Sequence, residues 1–173
     1  MTLRFLFANP LAWYKKPANC ILKFGDRVGF GHFAIQLETF QENNVYESIW
    51  PKSIKTDLKT WLTHYSVSKS YEWQVPTHLQ ATVKEWLDSH LGRNYSMGQI
   101  FWIGICILLS PLNRLLIGAL INQDKYLICT EYGSRFMERF MSIKIKETHD
   151  LVGLRDMFEY CEHLEMNPKW SEK

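Results

Sequence analysis

The sequence predicts an α+β fold, with a small antiparallel sheet packed against helices. Two observations carry that expectation. From Phe33 to Trp50 two runs of strand-like character flank a polar cluster, the pattern of a hairpin. From Thr77 to Leu91, and again from Cys129 to Phe140, apolar side chains recur at helical spacing.

In the first run Phe33, Ile35 and Leu37 alternate with Ala34, Gln36 and Glu38. Gln41-Glu42-Asn43-Asn44 is a turn signal. Val45 to Trp50 reads as a second strand, stopped by Pro51. In the first helix Leu79, Val83, Trp86, Leu87 and Leu91 share one face. Thr77 with Gln80 forms a capping-box pattern, and Gly92 suits the position past the end. The second helix begins near Cys129 and Thr130 and runs through Glu138, with Tyr132, Phe136 and Phe140 on one stripe. Tyr126-Leu127-Ile128 before it is too short to classify. After Leu151 one more helix is expected, fading at Asn167-Pro168.

Composition narrows the class. The chain has 173 residues and no internal repeat or Gly/Ser linker, so 1–173 is read as one domain. With 46 % hydrophobic and 14 % aromatic residues it is not a disordered chain. Its 20 Lys and Arg nearly cancel 18 Asp and Glu, so no nucleic-acid partner is expected. The cysteines, Cys20, Cys106, Cys129 and Cys161, form no C-x-x-C pair and support no zinc ribbon. Met1 to Phe7 is not a secretory signal, because Arg4 interrupts a short apolar run that Asn9-Pro10 soon ends. The expected location is cytoplasmic, with free thiols.

Two apolar runs, Ile100 to Leu109 and Leu115 to Ile121, are separated by Ser110, Pro111, Asn113 and Arg114. A spanning helix needs about 20 apolar residues, and neither run reaches that. An apolar helical insert at about 97–121 is expected, buried or lining a pocket. The other reading is a hydrophobic hairpin that touches lipid or a protein partner.

Three residues stand out for chemistry. His32 opens a strand directly after Gly31, where an imidazole can sit at a sheet end; an ordinary half-buried histidine fits the same place. Glu47 shares a strand face with Val45 and Ile49, so a carboxylate interrupts an apolar row unless that face is open to water. The two would lie directly opposite if the turn is centred between Thr39 and Phe40, and a carboxylate there would favour the protonated imidazole. Cys129 stands at a helix start, where dipole and free N–H groups stabilise a thiolate or an oxyanion. A buried structural cysteine is the competing reading.

The order Gly31-His32, Glu47, Gly92-Arg93-Asn94-Tyr95, Ile128-Cys129-Thr130-Glu131 resembles a known family. In the text GHFAI, VYE, GRNY and ICTEYGSRFM the chain is similar to the circularly permuted papain-like cysteine hydrolases, the YiiX-like branch related to NlpC-type amidases. The likeness covers roughly Gly25 to Met137. It implies a permuted papain-like fold and acyl transfer through a thioester on an amide or ester. Cys129 matches the nucleophile, His32 the general base and Glu47 the residue that orients the imidazole. Tyr95 matches a tyrosine whose hydroxyl helps the oxyanion hole, though a core aromatic also fits there. Thr130 departs from the family's usual serine and keeps a hydroxyl.

The implied substrate is a peptide, a peptidoglycan fragment or a lipid. The lack of an export signal disfavours direct cell-wall access, unless a secretion apparatus or phage particle delivers the protein. Two rivals stand: a non-catalytic interaction module of the same fold, and a membrane-associated lipid acyltransferase, for which lecithin:retinol acyltransferase relatives are the precedent. His64, His78, His90, His149 and His163 are scattered, so no metal is assigned and no cofactor is expected. Trp50, Trp61, Trp73 and Trp86 are expected in the core.

Overall fold

The N-terminal run Thr2–Pro10 alternates so that Leu3, Phe5 and Phe7 point to one side and Leu6 and Ala8 to the other. A strand apolar on both faces belongs inside a sheet, and this one (β1) is hydrogen-bonded along both edges. The computed structural model describes residues 1–11, 29–95, 126–127, 129–145, 152–164 and 170. They form an α+β fold around a five-stranded antiparallel sheet of order β4-β3-β2-β1-β5.

Strands β2 (His32–Glu38) and β3 (Asn43–Glu47) form the expected hairpin with a different turn. Ile35 faces Tyr46 and Leu37 faces Asn44, which centres the turn between Phe40 and Gln41. The Thr39 N–H donates to the Glu42 carbonyl at 2.7 Å, and Thr39 Oγ1 accepts the Gln41 and Glu42 N–H groups. Asn43 and Asn44 belong to the strand, and β3 ends at Glu47 rather than Trp50. Trp50 is also outside the core, 68 % exposed, whereas Trp61 and Trp73 are buried and Trp86 packs against the core.

Strand β4 (Ile54–Asp57) leads into the short helix α1 (Leu58–Leu62), where Asp57 Oδ1 caps the Thr60 N–H at 3.0 Å. Strand β5 (Tyr65–Gln74) pairs with β1, but its register slips: Phe7 faces Lys69 and Ala8 faces Val67. The extra residue, Ser68, is held by Asn9 Nδ2, which also donates to the Gly29 carbonyl. This irregularity reverses the strand's facing. Tyr71 and Trp73 join Phe5 and Phe7, while Tyr65 lies with Leu6, Ala8, Ala34, Val45 and Trp61 on the other face.

Helix α2 (Gln80–Ser89) follows a 3-10 turn at Thr77–Leu79. The capping box does not form, because the turn starts the helix early. Its cap Leu79 makes no side-chain bond, and Gln80 Nε2 donates to the Val75 carbonyl at 3.1 Å. Gly92 adopts φ +79°, the left-handed conformation expected past a helix end. Helices α3 (Cys129–Met141) and α4 (Leu154–Leu164) complete the layer on the Phe5–Phe33 side. Tyr132, Phe136 and Phe140 are buried there, with Val83 and Leu87 of α2 and Met157 and Cys161 of α4.

Gly133 sets the spacing of α3. A Cβ at this position would lie 2.6 Å from Met157 Cε and 2.8 Å from Phe33 Cζ, well inside van der Waals contact. Glycine therefore lets the helix lie close against β2.

A second, two-stranded parallel sheet joins β6 (Asn94–Tyr95) to β7 (Tyr126–Leu127), which settles the unclassified segment before α3. The β3–β4 connection docks on β6: the Tyr95 N–H donates to the Pro51 carbonyl at 2.9 Å, and the Ser53 N–H to the Arg93 carbonyl at 2.8 Å. The insert at 97–121, Cys20, Cys106, His149 and Asn167-Pro168 lie outside the described residues. Among the described residues no helix is long and apolar enough to cross a membrane.

Candidate functional site

Strand alternation puts His32, Ala34 and Gln36 on one face of β2, and Val45 and Glu47 on the matching face of β3. The observed register, continued by one pair, sets Glu47 across from Ala34. His32 and Glu47 are thus diagonal neighbours, not directly opposite, because the turn lies one residue later than the direct pairing needs. Long side chains can span a diagonal, and the small Ala34 leaves the room. His32 Nε2 and Glu47 Oε2 stand 2.7 Å apart, with the two residues only 7 % and 3 % exposed. A carboxylate only accepts, so Nε2 carries the proton and donates it.

Helix α3 brings Cys129 to the same place. Cys129 is its first residue, buried, beside backbone N–H groups that have no partner within the helix. Cys129 lies close enough to His32 to act on its titration. Burial works against the imidazolium, but Cys129 and the bond to Glu47, with their charges, outweigh it and push His32 up to about 9.

Tyr95 joins from β6. Burial raises its hydroxyl well above the ordinary tyrosine value, and the charges of Cys129 and Tyr65 raise it further. Of the four residues singled out in the sequence, His32 and Glu47 are in direct contact, and the charge of Cys129 acts on both His32 and Tyr95.

Two further residues belong to the site. The Tyr65 ring stacks on the His32 imidazole, with centroids 4.9 Å apart and planes 20° from parallel. Trp61 of α1 stacks on the far side of Tyr65 at 4.6 Å and 16°. No local pattern announces Tyr65, because its facing depends on the slip at Ser68. Trp61 belongs to a helix of five residues, too short to show a period.

Other polar residues nearby have structural partners. Glu131 is buried and held by Arg135, with Nη2 at 2.6 Å and Nε at 3.0 Å from Oε1. His64, His78 and His163 are exposed, whereas His90 is buried between α2 and α3 beside Trp86 and Tyr132. Among the described residues no group of three or more His, Cys, Asp or Glu is arranged to hold a metal ion.

No protein-family model matches the chain, and no curated protein matches it. The likeness to the permuted papain-like hydrolases rests on the four short motifs. The fold adds a sulfur, an imidazole and a carboxylate near one another, a set suited to moving a proton on and off a nucleophile.

Proposed function

We propose that the protein is a cysteine-dependent hydrolase that cleaves an amide or ester through a thioester. The observation that carries this reading is the buried His32 imidazole, held by Glu47 at 2.7 Å, with Cys129 at the start of α3 close enough to act on it. Nε2 serves Glu47, which leaves Nδ1 for the sulfur. With its value raised to about 9, the resting imidazole is an imidazolium. The sulfur attacks the substrate carbonyl carbon, and electrons move onto the carbonyl oxygen. The Tyr95 hydroxyl and the first N–H groups of α3 receive that oxyanion. Collapse expels the amine or alcohol, which takes its proton from His32. Neutral His32 then removes a proton from water, whose oxygen attacks the thioester and releases the acid and the thiolate.

The substrate class is a peptide, a peptidoglycan fragment or a lipid ester, acted on in the cytoplasm. The free thiols of Cys129 and Cys161 fit a reducing compartment. Iodoacetamide with site-resolved mass spectrometry tests the nucleophile. Cys129 should label fastest, and His32→Ala should slow it about tenfold or more. Cys161, whose thiol burial pushes up, should stay unlabelled in the folded protein. Cys129→Ser should melt close to wild type and lose p-nitrophenyl acetate turnover by roughly a thousandfold. Equal labelling of every accessible thiol, unchanged in His32→Ala, would leave the interaction-module reading in its place.

A further inference from the structure

The mechanism above uses one edge of the His32 ring for Glu47 and another for Cys129, but not its face. That face is covered by a continuous stack, Trp61 on Tyr65 on His32, with interplanar angles of 16° and 20°. Two observations separate this stack from ordinary core filling. The first is its origin. Without the slip at Ser68, alternation along β5 would carry Tyr65 to the Tyr71 face, away from the imidazole. Asn9 Nδ2 fastens that slip with a hydrogen bond to Ser68 Oγ at 2.9 Å.

The second is Trp61 itself. It is 1 % exposed, yet its Nε1–H finds no hydrogen-bond partner. A buried unpaired donor costs about 1–3 kcal/mol, so the position of the indole is set by ring packing. It shares an apolar cluster with Leu6, Ala8, Ala34, Val45 and Leu58, whose side chains carry no hydrogen-bonding group.

We infer that Tyr65, backed by Trp61, is a positioning residue whose ring fixes the orientation of the His32 imidazole toward Glu47 and favours its cationic form. An electron-rich ring face attracts a cation lying over it, and the effect strengthens as water is removed. The titratable groups around His32 are Glu47 from β3, Cys129 from α3, Tyr65 from β5 and Tyr95 from β6. Glu47 and Cys129 act through the ring nitrogens, so Tyr65 is left to act through the face. As a statement about catalysis this rests on the hydrolase reading; as a statement about His32 it does not.

The test follows His32 by NMR of the selectively labelled imidazole and Cys129 by iodoacetamide labelling, on the full chain. In the wild type the His32 ring protons should be shifted upfield by the stacked tyrosine, a readout that needs no variant. Tyr65→Leu should lose that shift and lower the His32 midpoint by about 0.7 pH unit, the size an ordinary cation–π contact sets. Labelling of Cys129 should slow about fivefold with it. Tyr65→Phe keeps the ring and should restore all three properties, which a merely space-filling or hydroxyl-based role would not produce. Unshifted His32 protons in the wild type would overturn the inference, even if Tyr65→Leu fails to fold. An unchanged midpoint in folded Tyr65→Leu, or an equal fall in Tyr65→Phe, would overturn it too. A midpoint that follows the series while wild-type Cys129 stays unreactive would uphold the role of Tyr65 and reject the hydrolase.

Discussion

His32 and His90 are both 7 % exposed, and both lie against an aromatic ring. They titrate in opposite directions. His90 closes α2, its ring 4.0 Å from that of Trp86, with Nδ1 2.8 Å from the Trp86 carbonyl. Burial, with the charges of Arg93 and Arg135, outweighs that bond and lowers it to about 4. Burial pulls His32 the same way, yet Cys129 and Glu47 carry it to about 9. Equal burial therefore predicts neither charge nor role; the sign of the neighbours does. Burial with cationic neighbours keeps one imidazole neutral, and acidic neighbours overcome the same burial to keep the other charged.

Removing the acidic neighbour should break the contrast most sharply. Glu47→Ala leaves the buried His32 cation without its carboxylate and should cost about 3 kcal/mol in urea unfolding. His32 should then move down toward the direction of His90. A variant as stable as wild type, with His32 unmoved, would show that Cys129 alone sets the charge.

Acid and base titration should separate the two histidines without any substitution near His32. For His32 the folded value, about 9, lies above the ordinary 6.5. Its stabilisation is complete below pH 6.5 and is lost as pH rises through 9. For His90 the folded value, about 4, lies below 6.5. Its contribution is complete above pH 6.5 and is lost as pH falls toward 4. Each gap corresponds to about 3 kcal/mol at most, so stability should peak between the two limbs. His90→Phe should flatten the acid limb and spare the alkaline one. An acid limb that stays steep would assign it to other groups.

The smallest of these effects sharpens the geometry around His32. Gly133→Ala places a methyl group against Phe33 and Met157, and should cost about 1–3 kcal/mol through overpacking. It should also push α3 off β2 and slow iodoacetamide labelling of Cys129. A thermal melt matching wild type would mean that Met157 and Phe33 give way.

Parity carried more of the site than register did. A period of two puts His32 and Glu47 on one face whichever way the turn is cut by two residues, so their meeting was legible. The diagonal was not, since it depends on Thr39 closing the turn with Glu42. The stripe Tyr132, Phe136, Phe140 was legible because it buries one side of a long helix. Strands β1 and β5 were not: β1 is apolar on both faces and looks like a bare hydrophobic run. β5 changes face at Ser68, which destroys its alternation. The buried state of His90 also escaped notice, as its partners Arg93 and Arg135 come from separate elements.

The central place of β1 also orders the assembly of the molecule in time. His32 and Glu47 are 15 residues apart and meet within one hairpin. Thr2 and Gln74, paired across β1 and β5, are 72 residues apart. Closing the longer loop costs roughly 1.4 kcal/mol more chain entropy, before any contact in it is gained. The charged pair can thus form early and locally, while the ring that covers it arrives only when the far strand docks. Cys129 comes from farther still along the chain. A nascent or partly unfolded molecule would hold His32 and its carboxylate together with no sulfur beside them, so Cys129 meets the imidazole only in the completed fold.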